Sequence, residues 1–258
     1  MTNPLSFTHF ITNSLASLRN RSRAATAPGP ADFFRGAAPV ASHAPYWSAT
    51  YNLIYNRLFC DDPDAFRGPG SERFASGPWA AVLAHRPDAA ALRRIGEDRS
   101  PNTRIRLLAF LRLRQMGEPI PLYLLGAVWE FRVDGGLDVL AAYADGSVEY
   151  INHTEGMSVF EGAALTDEIA DQVDRLLRAS EDLVNETAPW QTARPAPPSG
   201  ESTRITYLTS GGPCVIDGNH RVLLEQDATS PAANALMDLF EIIVDTSIEQ
   251  RKPDMGTL

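Results

Sequence analysis

The sequence predicts an α+β fold: an N-terminal helical region, then an antiparallel sheet made of a meander and a second strand group, with helices flanking it. Three observations predict it. Residues 121–161 hold the one long stretch of strand period, in which Ala127, Trp129, Phe131 and Val133 alternate with Glu130 and Arg132. A second set of strand-like runs begins at Thr203. The segments between carry apolar residues at helical spacing, so that strands come in runs punctuated by helices, as in α+β and not in wound α/β architecture. A single sheet with helices packed on it, in the manner of profilin-like or roadblock-like domains, satisfies this order; that is an analogy of fold and implies no function.

Residues 1–31 contain Arg19, Arg21 and Arg23 and no acidic residue. Phe7, Phe10, Ile11, Leu15 and Leu18 fall near helical spacing ahead of the breaker Pro28-Gly29-Pro30. This basic arm reads as a docking helix on a flexible tether, as a targeting segment, or as a loosely ordered terminus. It lacks the uninterrupted apolar core of a secretory signal.

A helical region is expected over 32–117. Tyr46–Phe59 places Trp47, Tyr51, Ile54, Tyr55 and Leu58 on one helical face, with Pro45 or Ser48 at its start. An aromatic stripe of this kind is ordinarily core. Cys60-Asp61-Asp62 closes that helix, and its acidic pair reads as solvated charge. Two short helices are expected over Pro78–His85 and Pro87–Gly96, the second with Asp88 at its N-terminus. Asn102 or Thr103 caps a helix over Arg104–Gln115. Its arginines, Arg104, Arg106, Arg112 and Arg114, read as surface groups paired with nearby carboxylates, or as an anion-binding face.

The sheet and its covering helices are expected over 118–250. A turn at Asp134-Gly135-Gly136 follows the first strand, and Leu137–Tyr143 alternates again. Asp145-Gly146 has the residues of a type I′ hairpin, and strands follow at Val148–His153 and Met157–Phe160. Thr166 caps a helix with Ile169, Val173, Leu176, Leu177 and Leu183 on its apolar stripe. Residues 188–200, APWQTARPAPPSG, read as a stiff surface connector. Strands are expected at Thr203–Thr209, Cys214–Asp217 and Arg221–Gln226. A closing helix opens at Ser230-Pro231 and buries Leu236, Leu239, Phe240 and Ile243, and the tail 251–258 is polar.

Composition narrows the function classes. A net charge of −9 argues against nucleic acid as a partner, because phosphate-backbone binding needs clustered cations. No window approaches a transmembrane length of apolar sequence. The only lysine is Lys252, in the tail, which removes P-loop, Schiff-base and lysine-base chemistry from the body. Cys60 and Cys214 imply no disulfide framework and fit a reducing cytoplasm. The five histidines never recur at metal-ligand spacing, so neither a metal nor a cofactor is expected. His153 and Glu155 would need a third ligand from elsewhere. The arginine and alanine usage points to a bacterial genome.

The run LDVLAAYADGSVEYINHTEGMSVFE, preceded by IRLLAFLRLRQMGEPIPLYLLGAVWEF, resembles a family of bacterial proteins of uncharacterised function. The resemblance extends back to YNLIYNRLFCDD and PWAAVLAHRPD and forward to TRITYLTSGG. It implies a bacterial origin and one integrated fold, and carries no activity across.

The sharpest chemical candidate is Asp217-Gly218-Asn219-His220-Arg221. It resembles the DGxHR signature of ParB-like and sulfiredoxin-like domains, in which a glycine turn feeds a phosphate-holding helix. The resemblance implies Gly218, His220 and Arg221 as phosphate contacts. Val222-Leu223-Leu224 departs from it by reading as a strand, and Gly-Asn is also a common hairpin turn. No serine elbow or other catalytic motif appears. The sequence thus favours a non-enzymatic cytoplasmic protein that works through contacts with a protein partner. The alternative is a phosphate- or nucleotide-binding enzyme centred on the 217–221 turn. A sheet edge offers a third possibility, self-association by strand addition.

Overall fold

The computed structural model describes residues 40–67, 71–100, 102–219, 223 and 230–251. The basic arm, with Phe7, Phe10, Ile11, Leu15 and Leu18, and the residues His220 and Arg221 lie outside that set. Among the described residues are six helices: α1 (Ala49–Leu58), α2 (Gly77–Val82), α3 (Ala89–Glu97), α4 (Thr103–Gln115), α5 (Asp167–Asn185) and α6 (Ser230–Arg251). One antiparallel sheet of six strands runs β4-β3-β2-β1-β5-β6 across its width. Its strands are β1 (Leu124–Val133), β2 (Gly136–Tyr143), β3 (Val148–Ile151), β4 (Met157–Phe160), β5 (Ser202–Thr209) and β6 (Gly212–Asn219). The α+β class holds.

The helix starts follow local chemistry. Ser48, Asp88, Asn102 and Thr166 each accept a hydrogen bond from a first-turn amide of the helix they precede. The Asp145 carboxylate adds to the cap of α4, accepting from Thr103 N at 2.9 Å. The tight hairpin geometry sits elsewhere than the sequence indicates. At Asp134-Gly135 both central residues have positive φ (49° and 82°), as a type I′ turn requires. At Asp145-Gly146 only Gly146 does (85°); Gly146 N donates to Tyr143 O at 2.8 Å and Ser147 pairs with Tyr143, a longer loop closed by a left-handed glycine.

Both faces of the sheet are covered. Helices α1 to α4 pack on the face that carries Val128, Val139, Tyr143 and Ile151, so the N-terminal helical region shares a core with the sheet. Helices α5 and α6 pack on the opposite face, against Trp129, Phe131, Leu140 and Tyr207. The alternation in β1 therefore separates two cores and not core from solvent. Leu125 through Phe131 are all buried, and Glu130 is 0% exposed. On the α6 side the Phe240 ring meets Trp129, Phe131 and Tyr150 edge-on.

One further expectation is corrected, and another falls almost wholly outside the described residues. The strand expected over Arg221–Gln226 has one described residue, Leu223, which is helical and buried. Helix α4 is central and enclosed, not a surface helix, and two of its arginines, Arg106 and Arg114, are buried with it. Only Arg104 makes the expected carboxylate pairs, with Glu149 and with Glu161 at 2.8 Å. Arg106, Arg112 and Arg114 donate instead to the carbonyls of Gly96, Ala84 and Ser210. No helix among the described residues is long and apolar enough to cross a membrane.

Candidate functional site

The Asp217-Gly218-Asn219 turn candidate lies at the end of β6, where Arg204, Thr203 and Ser202 of β5 face it in register. Arg204 is the cation nearest this stretch in the register; both of its terminal nitrogens are committed, while its Nε is buried without a partner among the described residues. Its Nη2 donates to Asp217 Oδ2 at 2.7 Å and its Nη1 to Ala196 O at 2.6 Å. Glu130 Oε2 faces the same Nη1 at 3.8 Å, beyond hydrogen-bond reach. Glu130 Oε1 accepts from the Tyr55 hydroxyl at 2.7 Å. Burial raises the Glu130 carboxyl above its ordinary pKa, against the Tyr55 hydrogen bond and the nearby arginines. Asp217 is thus the outer end of a structural chain that runs Tyr55–Glu130–Arg204–Asp217 from α1 through the sheet.

A parallel chain holds the proline-rich connector, which proves to be a strap bound along the body. Arg194 Nε donates to Asp61 Oδ2 at 2.9 Å, and its Nη2 to Asn56 Oδ1 at 2.8 Å and Ala41 O at 3.0 Å. Its guanidinium lies 3.9 Å from the Phe59 ring centroid. The acidic residue that reads as solvated in the sequence, Asp61, is this arginine's counter-ion. Trp190 N donates to Pro213 O at 2.6 Å, so the strap also occupies part of the β6 edge. Beneath it, a cavity of about 30 Å3 is lined by Asp61, Arg114, Arg194 and Thr206. Asp61 Oδ1, Arg194 Nη1 and Thr206 Oγ1 have no protein partner, and a cavity of this size suits one or two waters.

The His153 and Glu155 pair diverges. His153 Nδ1 lies 2.8 Å from Asp138 Oδ1, and the Tyr150 hydroxyl donates to Asp138 Oδ2 at 2.5 Å. Glu155, at φ 61°, turns to the start of α1 instead, where one carboxylate oxygen accepts from Trp47 N at 2.6 Å and Ser48 N at 2.9 Å. An anion at a helix N-terminus is favourable, and here it fixes the residue in front of the cap. Among the described residues no three His, Cys, Asp or Glu group as a metal site. Cys60 and Cys214 are free and buried, and burial pushes the Cys214 thiol up to about 12.

Trp47 is the residue the sequence misplaces. Its position in an aromatic stripe reads as core, yet its side chain is 100% exposed. The backbone around it is pinned on both sides. Tyr46 is buried, its amide donates to Asn52 Oδ1 at 2.8 Å and its hydroxyl to Leu137 O at 3.2 Å. The stripe proper begins at Tyr51 and Tyr55, whose rings both lie 6.2 Å from that of Tyr46. Trp47 precedes the first helical residue and falls outside that periodicity, which was the only available signal. Comparison of the chain with family models, curated proteins and solved structures found no match.

Proposed function

We propose that the chain is a protein-contact module that presents Trp47 to a protein partner in a bacterial cytoplasm. One observation carries the reading: a fully exposed indole on a backbone locked by Glu155, Asn52 and Tyr46. Exposing so large an apolar group to water is unfavourable by about 2 to 3 kcal/mol relative to burying it. Tryptophan is among the residues that dominate interface energetics, and a backbone already held in place loses little entropy on docking. The acidic net charge favours a partner with a neutral or basic surface over an anionic membrane or nucleic acid.

The reading is tested by placing a photoreactive phenylalanine analogue at position 47 of the full chain in its native cell, with position 174 as control. A single adduct of defined mass at 47, saturable and missing at 174, is expected. Equal labelling at the two positions, or none at either, overturns it.

One observation favours a second reading, the phosphate-binding turn at 217–221. Leu223 is helical, as the DGxHR resemblance requires, and packs against Gly218. Under this reading His220→Ala abolishes binding of inorganic phosphate or a nucleotide and leaves the melting temperature unchanged. Unaltered affinity in that variant rejects it.

A further inference from the structure

A groove of about 450 Å3 lies between one face of α5, the segment leading into β1, the β2–β3 turn and the approach to α4. That volume is in the range of small-molecule sites. Arg99 and Arg106 both line it. Arg106 is only 8% exposed, and its Nε donates to Gly96 O at 3.0 Å. Among the described residues no carboxylate forms an ion pair with either guanidinium.

The carboxylates in the neighbourhood are committed elsewhere. Asp98 accepts from Ser100 N at 2.9 Å, and Asp145 from Thr103 N and from Ser147. On the α5 wall Asp174 pairs with Arg178 at 2.6 Å. Burial, and then the adjacent Arg99, hold the Arg106 guanidinium below its ordinary pKa. Arginine keeps its proton all the same. Asp145 and Asp98 offset this through space without pairing directly, so a largely buried charge sits beside a like charge with no ion-pair partner of its own.

We infer that the Arg99–Arg106 end of this groove binds the oxyanion head group of a small organic molecule. Two guanidinium forks match the oxygens of a carboxylate or phosphate ester, and the anion supplies the direct ion-pair partner that Asp98 and Asp145 do not. Val173 and Leu177 of α5, with Leu122 and Leu124 opposite, give the body of the ligand apolar surface. Asp174 is neutralised by Arg178 on the same wall, and Glu181 beside them disfavours a second negative group there. The site is distinct from the 217–221 turn and from Trp47, and the contact reading stands or falls without it.

Calorimetric titration of the full chain at low ionic strength, with phenyl phosphate, benzoate and inorganic phosphate as probes, tests the assignment. At least one organic anion is expected to bind with a Kd of about 1 mM or tighter. Arg99→Gln and Arg106→Met are each expected to weaken it by about tenfold or more. Arg99 is exposed, so its variant carries the test should Arg106→Met fail to fold. The bound anion also raises the wild-type melting temperature and leaves that of Arg99→Gln nearly unmoved. No binding of either organic anion at about 10 mM overturns the assignment, as does undiminished affinity in both arginine variants. Inorganic phosphate binding as tightly as the organic probes overturns the organic body. Loss of binding only in His220→Ala places the anion at the turn and refutes this site.

Discussion

Arg194→Met is expected to cost about 3 to 5 kcal/mol of folding stability, the range for breaking one side of a buried ion pair. The side chain is 5% exposed and joins the strap to Asp61, Asn56, Ala41 and the Phe59 ring. Removing it leaves Asp61 in place without its counter-ion. The loss has a pH dependence that can be worked out from Asp61. Burial raises its carboxyl pKa in the fold, and Arg194 opposes the rise. A carboxyl with a raised folded pKa stabilises fully below its unfolded pKa, and that contribution disappears as pH climbs through the folded value. Without Arg194 the rise is larger, so the variant's deficit should be greatest near neutrality and shrink in acid. Urea denaturation at several pH values checks this, with protease nicking inside 189–198 as the structural readout. A deficit under about 1 kcal/mol, or one that grows toward acid, would contradict the strap's anchoring.

The second large effect is expected at Glu130. Glu130→Ala should cost about 3 to 5 kcal/mol, because it empties a fully buried position and takes the acceptor from the Tyr55 hydroxyl. Glu130→Gln should stay within about 1 kcal/mol of the wild type, since the amide oxygen still accepts from Tyr55 and no charge is left to bury. The cycle with Tyr55→Phe should show coupling, because the two side chains share one hydrogen bond. Equal losses in the alanine and glutamine variants would place the energy in the charge itself and not in the hydrogen bond and packing.

What was legible in the sequence was local. The four caps, the meander and the apolar stripes of α5 and α6 depend on neighbours within a few residues, and the chain adopts them. The burial of β1 was not legible, because period-2 alternation looks the same whether the second face meets water or a second core. Glu130 decides between them only through Tyr55 and Arg204, distant in the chain. Arg106 and Arg114 read as surface groups because nothing local marks a helix as enclosed on all sides. The pinning of Trp47 by Glu155 spans 108 residues, and the Arg194–Asp61 pair spans 133, so neither leaves a trace in any window. The exposed indole was hidden for a related reason: one position beyond the N-cap, helical periodicity no longer describes where a side chain points.

The contact reading is tested most directly by the affinity of the cross-linked partner, once identified, for the wild-type chain and for Trp47→Ala, measured alongside both melting temperatures. The reading predicts an affinity loss of about tenfold or more with an unchanged melting temperature, because the side chain is fully exposed and packs on none of the described residues. An affinity that survives the substitution would contradict it.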